Sequence, residues 1–294
     1  MERIQSALEK ARASRANTAS IANAADTAPR PQQDGAVDTL EREPPVAEIA
    51  EITDPAVDIE ANWQALTPFT PKPRLMQRNR IVAFEGGPDA AHIDMMRTRI
   101  LQQMRLNGWR RLAVTSPGPG CGKTTTCLNL AFSLSRLSDQ RTILTEIDMR
   151  RPGMAIGLGT KGKHGFARVL AGEDSPAEQL LRCGDNVAIG LNSAPSENPS
   201  ELLQGPSVAP ALTRMEADYA PTIMLFDMPP MMTADDMLAF APHVDCVLLL
   251  AAAEQSTIDE IDSCEKELAA HTNVLGVVLN KCRYVGKGYG YGYY

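Results

Sequence analysis

The sequence predicts an α/β fold, a doubly wound and mostly parallel sheet, and three observations carry that prediction. Short apolar runs recur at "RLAVT" (111–115), "TILTEID" (142–148), "TIMLFD" (222–227), "CVLLL" (246–250) and "VLGVVLN" (274–280). They are apolar at both alternating positions, as strands covered by helices on both faces must be. The stretches between them have helical spacing, and alternation of strands with helices is the pattern of a parallel sheet joined by crossovers. The third observation is a glycine-rich turn that leads from the first strand into a helix.

In chain order, "MERIQSALEKARASR" sets Ile4, Ala7, Leu8 and Ala11 on one face among Arg3, Lys10 and Arg12, which predicts a short amphipathic helix over 1–16. Its charges stand where a secretory leader would have an apolar core. Residues 17–76 are rich in Ala, Pro, Asp and Glu and read as a disordered linker, with Trp63, Leu66 and Phe69 expected to dock on the domain after it. That domain is expected over 77–283. The tail, 284–294, ends in "KGYGYGYY" and holds Tyr284, Tyr289, Tyr291, Tyr293 and Tyr294, all of the six tyrosines except Tyr219.

Composition narrows the function classes. A net charge of −7 and a pI near 5.2 argue against a general nucleic-acid binder. The six cysteines form no CxxC pair and, with four histidines, show no metal-site spacing, so reduced thiols are expected. The longest apolar run, Cys246 to Ala253, falls far short of the ~20 residues that cross a bilayer.

The chemistry centres on "TSPGPGCGKTTTCLNLAFSL". Strand, glycine-rich loop, Gly-Lys-Thr and helix form the layout of a P-loop, although Pro117 stands where the strict pattern has glycine. Gly118, Gly120 and Gly122 are expected to turn backbone N–H groups toward phosphate oxygens, with Pro119, Cys121 and Thr125 completing the cradle. Lys123 would reach the β and γ phosphates of ATP, and Thr124 would hold Mg²⁺. Cys121 reads as a small loop filler, a lowered-pKa thiol being the rarer alternative. Asp227 in "LFDMPP" stands at a strand tip, where a carboxylate can organise Mg²⁺. Glu146 and Asp148 in "EIDMRRP" lie two apart at another tip and so share a side. Arg150 follows them as a candidate phosphate contact.

Taken together, "TSPGPGCGKT", "EIDMRRP", "LFDMPP" and the tyrosine tail resemble the bacterial tyrosine autokinases of capsule and exopolysaccharide synthesis. "GFARVLAGE" (165–173) and "NPSELL" (198–203) look like two further segments of that family. The resemblance runs from about Ala83 to the C-terminus. It implies a cytoplasmic tyrosine kinase that uses ATP and Mg²⁺, phosphorylates its own tyrosine cluster and regulates polysaccharide export. Lys123, Glu146, Asp148, Arg150 and Asp227 would be catalytic, and Thr124, Asp148 and Asp227 would hold the metal. Asn280 would contact adenine. The resemblance also implies a separate transmembrane activator that keeps the kinase at the inner membrane, a homo-oligomer, a cognate tyrosine phosphatase, and biosynthetic enzymes as further substrates. Two departures stand out. Glu146 replaces the first aspartate of the DxDxR motif, and Ala91, Asp94 and Arg97 occupy the positions of an ExxRxxR assembly motif, with only the last matching.

The tail could span ~45 Å from Asn280 when extended, enough to enter a neighbouring active site. Alternating glycines would let it thread a narrow cleft. The competing reading is a partition- or positioning-type ATPase of the same fold. That group usually carries a lysine where this chain has Gly118, and it needs no tyrosine tail. A nucleotide-binding regulator without catalysis is the third reading.

Overall fold

The computed structural model describes residues 57–160 and 165–283. Both the 1–16 helix and the tyrosine cluster fall outside them, and so does the linker up to residue 56. Among the described residues eight strands form one sheet: β1 Thr67–Pro68, β2 Arg111–Thr115, β3 Thr142–Glu146, β4 Leu180–Cys183, β5 Val187–Gly190, β6 Ile223–Asp227, β7 Cys246–Ala252 and β8 Asn273–Asn280. Their order is β1-β4-β5-β3-β6-β2-β7-β8, and every neighbouring pair is parallel except β4 with β5.

The helices are α1 Ile59–Ala65, α2 Pro73–Arg78, α3 Ala91–Asn107, α4 Lys123–Ser135, α5 Met154–Leu158, α6 Phe166–Ala171, α7 Pro176–Gln179, α8 Pro199–Leu203, α9 Val208–Tyr219, α10 Asp236–Phe240 and α11 Ile258–Ala269. Alternate strand residues enter two different cores. Leu112, Val114, Leu144, Leu225 and Leu248 pack in the layer of α3 and α4, whereas Ala113, Ile143, Phe226, Val247 and Leu249 pack in the layer of α6, α9, α10 and α11. Burial of both faces is why these strands read as unbroken apolar runs.

The linker boundary needs correction. Residues 59–78 fold as α1, β1 and α2, and Trp63 and Leu66 are fully buried in the α9 layer. The Trp63 ring meets Tyr219 edge-on at 6.2 Å, and the Arg141 guanidinium lies 5.7 Å from its centroid. A few large side chains seated in a neighbour's core can order a segment whose average composition is that of a linker. The sequence also missed β1, β4 and β5, which are too short to show a period.

Candidate functional site

The strand tips bring the predicted groups together. β2 lies between β6 and β7, and its register places Val114 opposite Asp227; Glu146 of β3 also stands opposite Asp227. The loop after β2 therefore emerges at the carboxyl edge of the sheet, between the tips that carry the acids. Within it, Gly120 and Gly122 have φ of +77° and +95°, the left-handed region a side chain disfavours. Gly118 does not need that freedom.

Both sides of the loop are braced. Thr115 Oγ1 donates to Pro229 O at 2.8 Å, and Met231 N and Met232 N donate to Ser116 O and Pro117 O at 2.9 and 3.1 Å. Pro117 thus serves as an acceptor position, a role that needs no N–H. On the other side, Gln255 Nε2 donates to Pro119 O at 3.0 Å and Asn280 Nδ2 to Cys121 O at 2.8 Å. The Cys121 thiol is buried and donates to Gly118 O at 3.3 Å, which fits the filler reading.

α4 starts at Lys123, so its first turn presents free N–H groups beside the loop. Lys123 is buried, and among the described residues no carboxylate lies within ion-pair distance of it. A cleft of about 390 Å³ opens here, lined by Gly120, Lys123, Thr124, Asp148, Arg150 and Pro230 among others. Asp148 Oδ1 accepts from Arg151 N at 3.0 Å, and burial raises the Asp148 carboxyl above its usual range.

Asp227 is fully buried, and among the described residues its Oδ2 has no hydrogen-bond partner. Burial pushes its carboxyl up to about 7; the nearby Thr124 hydroxyl and the Lys123 charge oppose the rise, while Glu146 and Asp148 add to it. Cys127, one helical turn past Lys123, points its thiol at Asp227 Oδ1 at 3.8 Å. Burial and that carboxylate hold the thiol well above its normal pKa, so it stays protonated and inert.

Glu146 departs from expectation. It is fully buried and absent from the cleft lining. Its Oε1 accepts from Gly153 N at 2.6 Å and Met154 N at 2.7 Å, and its Oε2 from Asn192 N at 2.8 Å. The longer side chain reaches past the cleft to tie the 148–153 loop and the segment after β5 to the β3 tip. The structure therefore gives it a bracing role, and like Asp227 it lies behind the residues that line the cleft. Asn280 departs in part: it touches the phosphate loop, yet it lines a different cleft of about 410 Å³, between α3 and the β7–β8 edge. Asp94 and Arg97 face inward, Asp94 toward Arg136 and Ser133 and Arg97 toward Ser133 O at 2.8 Å. All six cysteines are free, as expected.

The donors present fit Mg-ATP. Among the described residues no three His, Cys, Asp or Glu side chains cluster as a self-sufficient metal cage. Mg²⁺ does not need one, since it is usually held by one or two carboxylates with water and substrate phosphates completing the octahedron. The unpartnered Asp227 oxygen, the Thr124 hydroxyl and Asp148 supply that partial set, and the unpaired Lys123 supplies charge for phosphate. Asp236 of α10, which sequence reasoning overlooked, accepts a two-point hydrogen bond from Arg150 at 2.8 and 2.8 Å. Its partner lies far away in sequence, so no local spacing could signal it.

No protein-family model matches the chain. It is 31% identical over 211 residues to the EpsB protein of Ralstonia nicotianae, whose name assigns it provisionally to the tyrosine-protein kinases; the match covers 70% of this chain and 27% of that one. It is 29% identical over 175 residues to the tyrosine-protein kinase CpsD of Streptococcus pneumoniae serotype 4, across 58% of this chain and 75% of CpsD. The chain thus spans about a quarter of the length of the first curated relatives it matches. In structure it resembles the kinase domain of the Escherichia coli tyrosine kinase ETK, with a TM-score of 0.64 and 22% identity over 78% of this chain and 94% of that one.

Proposed function

We propose, from the homology of this chain to the bacterial tyrosine-protein kinases, that it is an ATP-dependent tyrosine autokinase acting on Tyr284, Tyr289, Tyr291, Tyr293 and Tyr294, with exopolysaccharide synthesis and export as the process it regulates. The observation that supports this best is Lys123, buried at a helix start and without an ion pair among the described residues, in one cleft with Thr124 and Asp148. A bound Mg²⁺ would draw charge from the β and γ phosphates. Gly120, Gly122 and Thr125 would cradle those phosphates, and Lys123 would offset the charge that spreads over the transferring group. Thr124 and Asp227 would hold the metal. Asp148, at the cleft wall, orients the incoming tyrosine hydroxyl and is placed to take its proton. Asn280 serves the adenine, and from its position against Cys121 O it also fixes the loop.

The partners follow from the same reading: a membrane-spanning activator, further copies of this chain, a phosphatase that resets the tyrosines, and biosynthetic enzymes as other substrates. Among the described residues no helix is long and apolar enough to cross a membrane. In this scheme the activator provides attachment at the inner membrane. Each phosphate adds about −1.5 to −2 charges to the tail.

Peptide mass spectrometry after incubation with Mg-ATP tests the proposal. Phosphate is expected on the tail tyrosines of the wild type and absent from Lys123→Met. An unlabelled tail with continued ATP hydrolysis, even with an activator's cytoplasmic segment added, would favour the positioning-type ATPase.

A further inference from the structure

Arg150 and Asp236 form a pair whose construction is unusual for a simple surface ion pair. The Arg150 side chain is 43% exposed at the cleft, whereas Asp236 is completely buried. Both carboxylate oxygens are used: Nε donates to Oδ2 and Nη2 to Oδ1, each at 2.8 Å. Nη2 also lies 4.0 Å from Asp235 Oδ1, and Nη1 makes no hydrogen bond among the described residues. Asp236 opens α10, and the next residues of that helix, Met237 and Phe240, are fixed in the core, with Phe240 edge-on to Phe226 of β6 at 5.0 Å. The carboxylate is thereby anchored to the strand that carries Asp227.

Stability alone gives little reason for this arrangement. A buried carboxylate forfeits hydration, and replacing a buried ion pair with apolar groups is often neutral or stabilising. What the fork does achieve is orientation. A free arginine explores many rotamers, and a two-point carboxylate contact selects one of them.

We propose that Asp236 is a positioning residue that locks the Arg150 guanidinium at the wall of the phosphate cleft, leaving Nη1 to bind a non-bridging oxygen of the phosphoryl group during transfer. The inference rests on the kinase reading of the site. Arg150 touches the reacting group; Asp236 acts only through Arg150. Because the contact serves the group in flight, its loss should lower kcat and leave KM for ATP nearly unchanged.

A double-mutant cycle on the full chain tests this. Tyrosine label and released inorganic phosphate are measured in the same reaction, with thermal unfolding of each variant as a control. Arg150→Ala is expected to lower kcat about 100-fold, and Asp236→Asn about 10- to 100-fold, with KM for ATP within about twofold of wild type. The double variant should be no slower than Arg150→Ala. Wild-type kcat in Asp236→Asn, or additive losses in the double variant, would overturn the proposal. If Asp236→Asn does not fold, Arg150→Lys decides: it keeps the charge but cannot fill the fork, so a loss like that of Arg150→Ala supports the lock and wild-type turnover refutes it. A wild type that releases phosphate without labelling tyrosine would overturn the kinase reading, and the same cycle read on hydrolysis would still decide the role of Asp236.

Discussion

At the scale of single residues, one methylene separates Glu146 from the aspartate that the motif would have there, and the longer side chain serves as a brace. Its two oxygens accept from three backbone N–H groups in a fully buried setting. Glu146→Gln turns one oxygen into a donor facing a donor and leaves at least one buried N–H unmet. A loss of about 2–3 kcal/mol is expected, measured by urea unfolding, and wild-type stability would refute the brace. Gly122 presents the opposite case, a site with no room. A Cβ there would stand 2.6 Å from Asn280 Nδ2, at φ +95°. Gly122→Ala should push Asn280 off Cys121 O and twist the loop, weakening ATP binding about tenfold, or about 1.4 kcal/mol. Titration calorimetry reads that directly.

At the scale of elements, α1 shows why a composition-based boundary failed. Its energy is concentrated in Trp63, held between Tyr219 and Arg141, with Asn62 Nδ2 donating to Asp218 O at 3.1 Å. Trp63→Ala should cost about 3–5 kcal/mol. A chain that begins at Gln77 should be destabilised at least as much, while one that begins at Val57 should unfold at the wild-type urea midpoint. Equal midpoints for all three would return α1 to the linker. The strands that were legible, β2, β3, β6, β7 and β8, are those with long apolar runs; β4 and β5 have four residues each, interrupted by Arg182 and separated by a polar turn. The site divides the same way. Lys123, Thr124, Asp148 and Asp227 were legible because each sits at a strand tip or helix start that the sequence itself marks. Asp236, Gln255 and the brace role of Glu146 depend on contacts across the fold, which local spacing does not encode.

At the scale of the whole molecule, the cleft is built where several elements are tied to one another, so a ligand there should report on the entire domain. Ile147 N and Asp148 N both donate to Asp227 O at 2.9 Å, Met228 N donates to Val114 O at 3.0 Å, and Met231 N to Ser116 O. The tips of β2, β3 and β6 cannot open independently. Mg-ATP at 100 times its Kd should therefore stabilise the fold by about 2.7 kcal/mol, seen as a rise in melting temperature that EDTA diminishes by removing the metal. Lys123→Met sharpens the expectation because it moves two quantities in opposite directions. A buried ammonium without an ion pair among the described residues is costly to fold around, so the ligand-free variant should melt at or above the wild-type temperature. The same variant should gain almost nothing from Mg-ATP, since the charge that draws phosphate into the cleft is gone. A variant that melts lower without ligand yet keeps the full nucleotide shift would mean that Lys123 serves the fold, and that phosphate is held by the loop backbone alone.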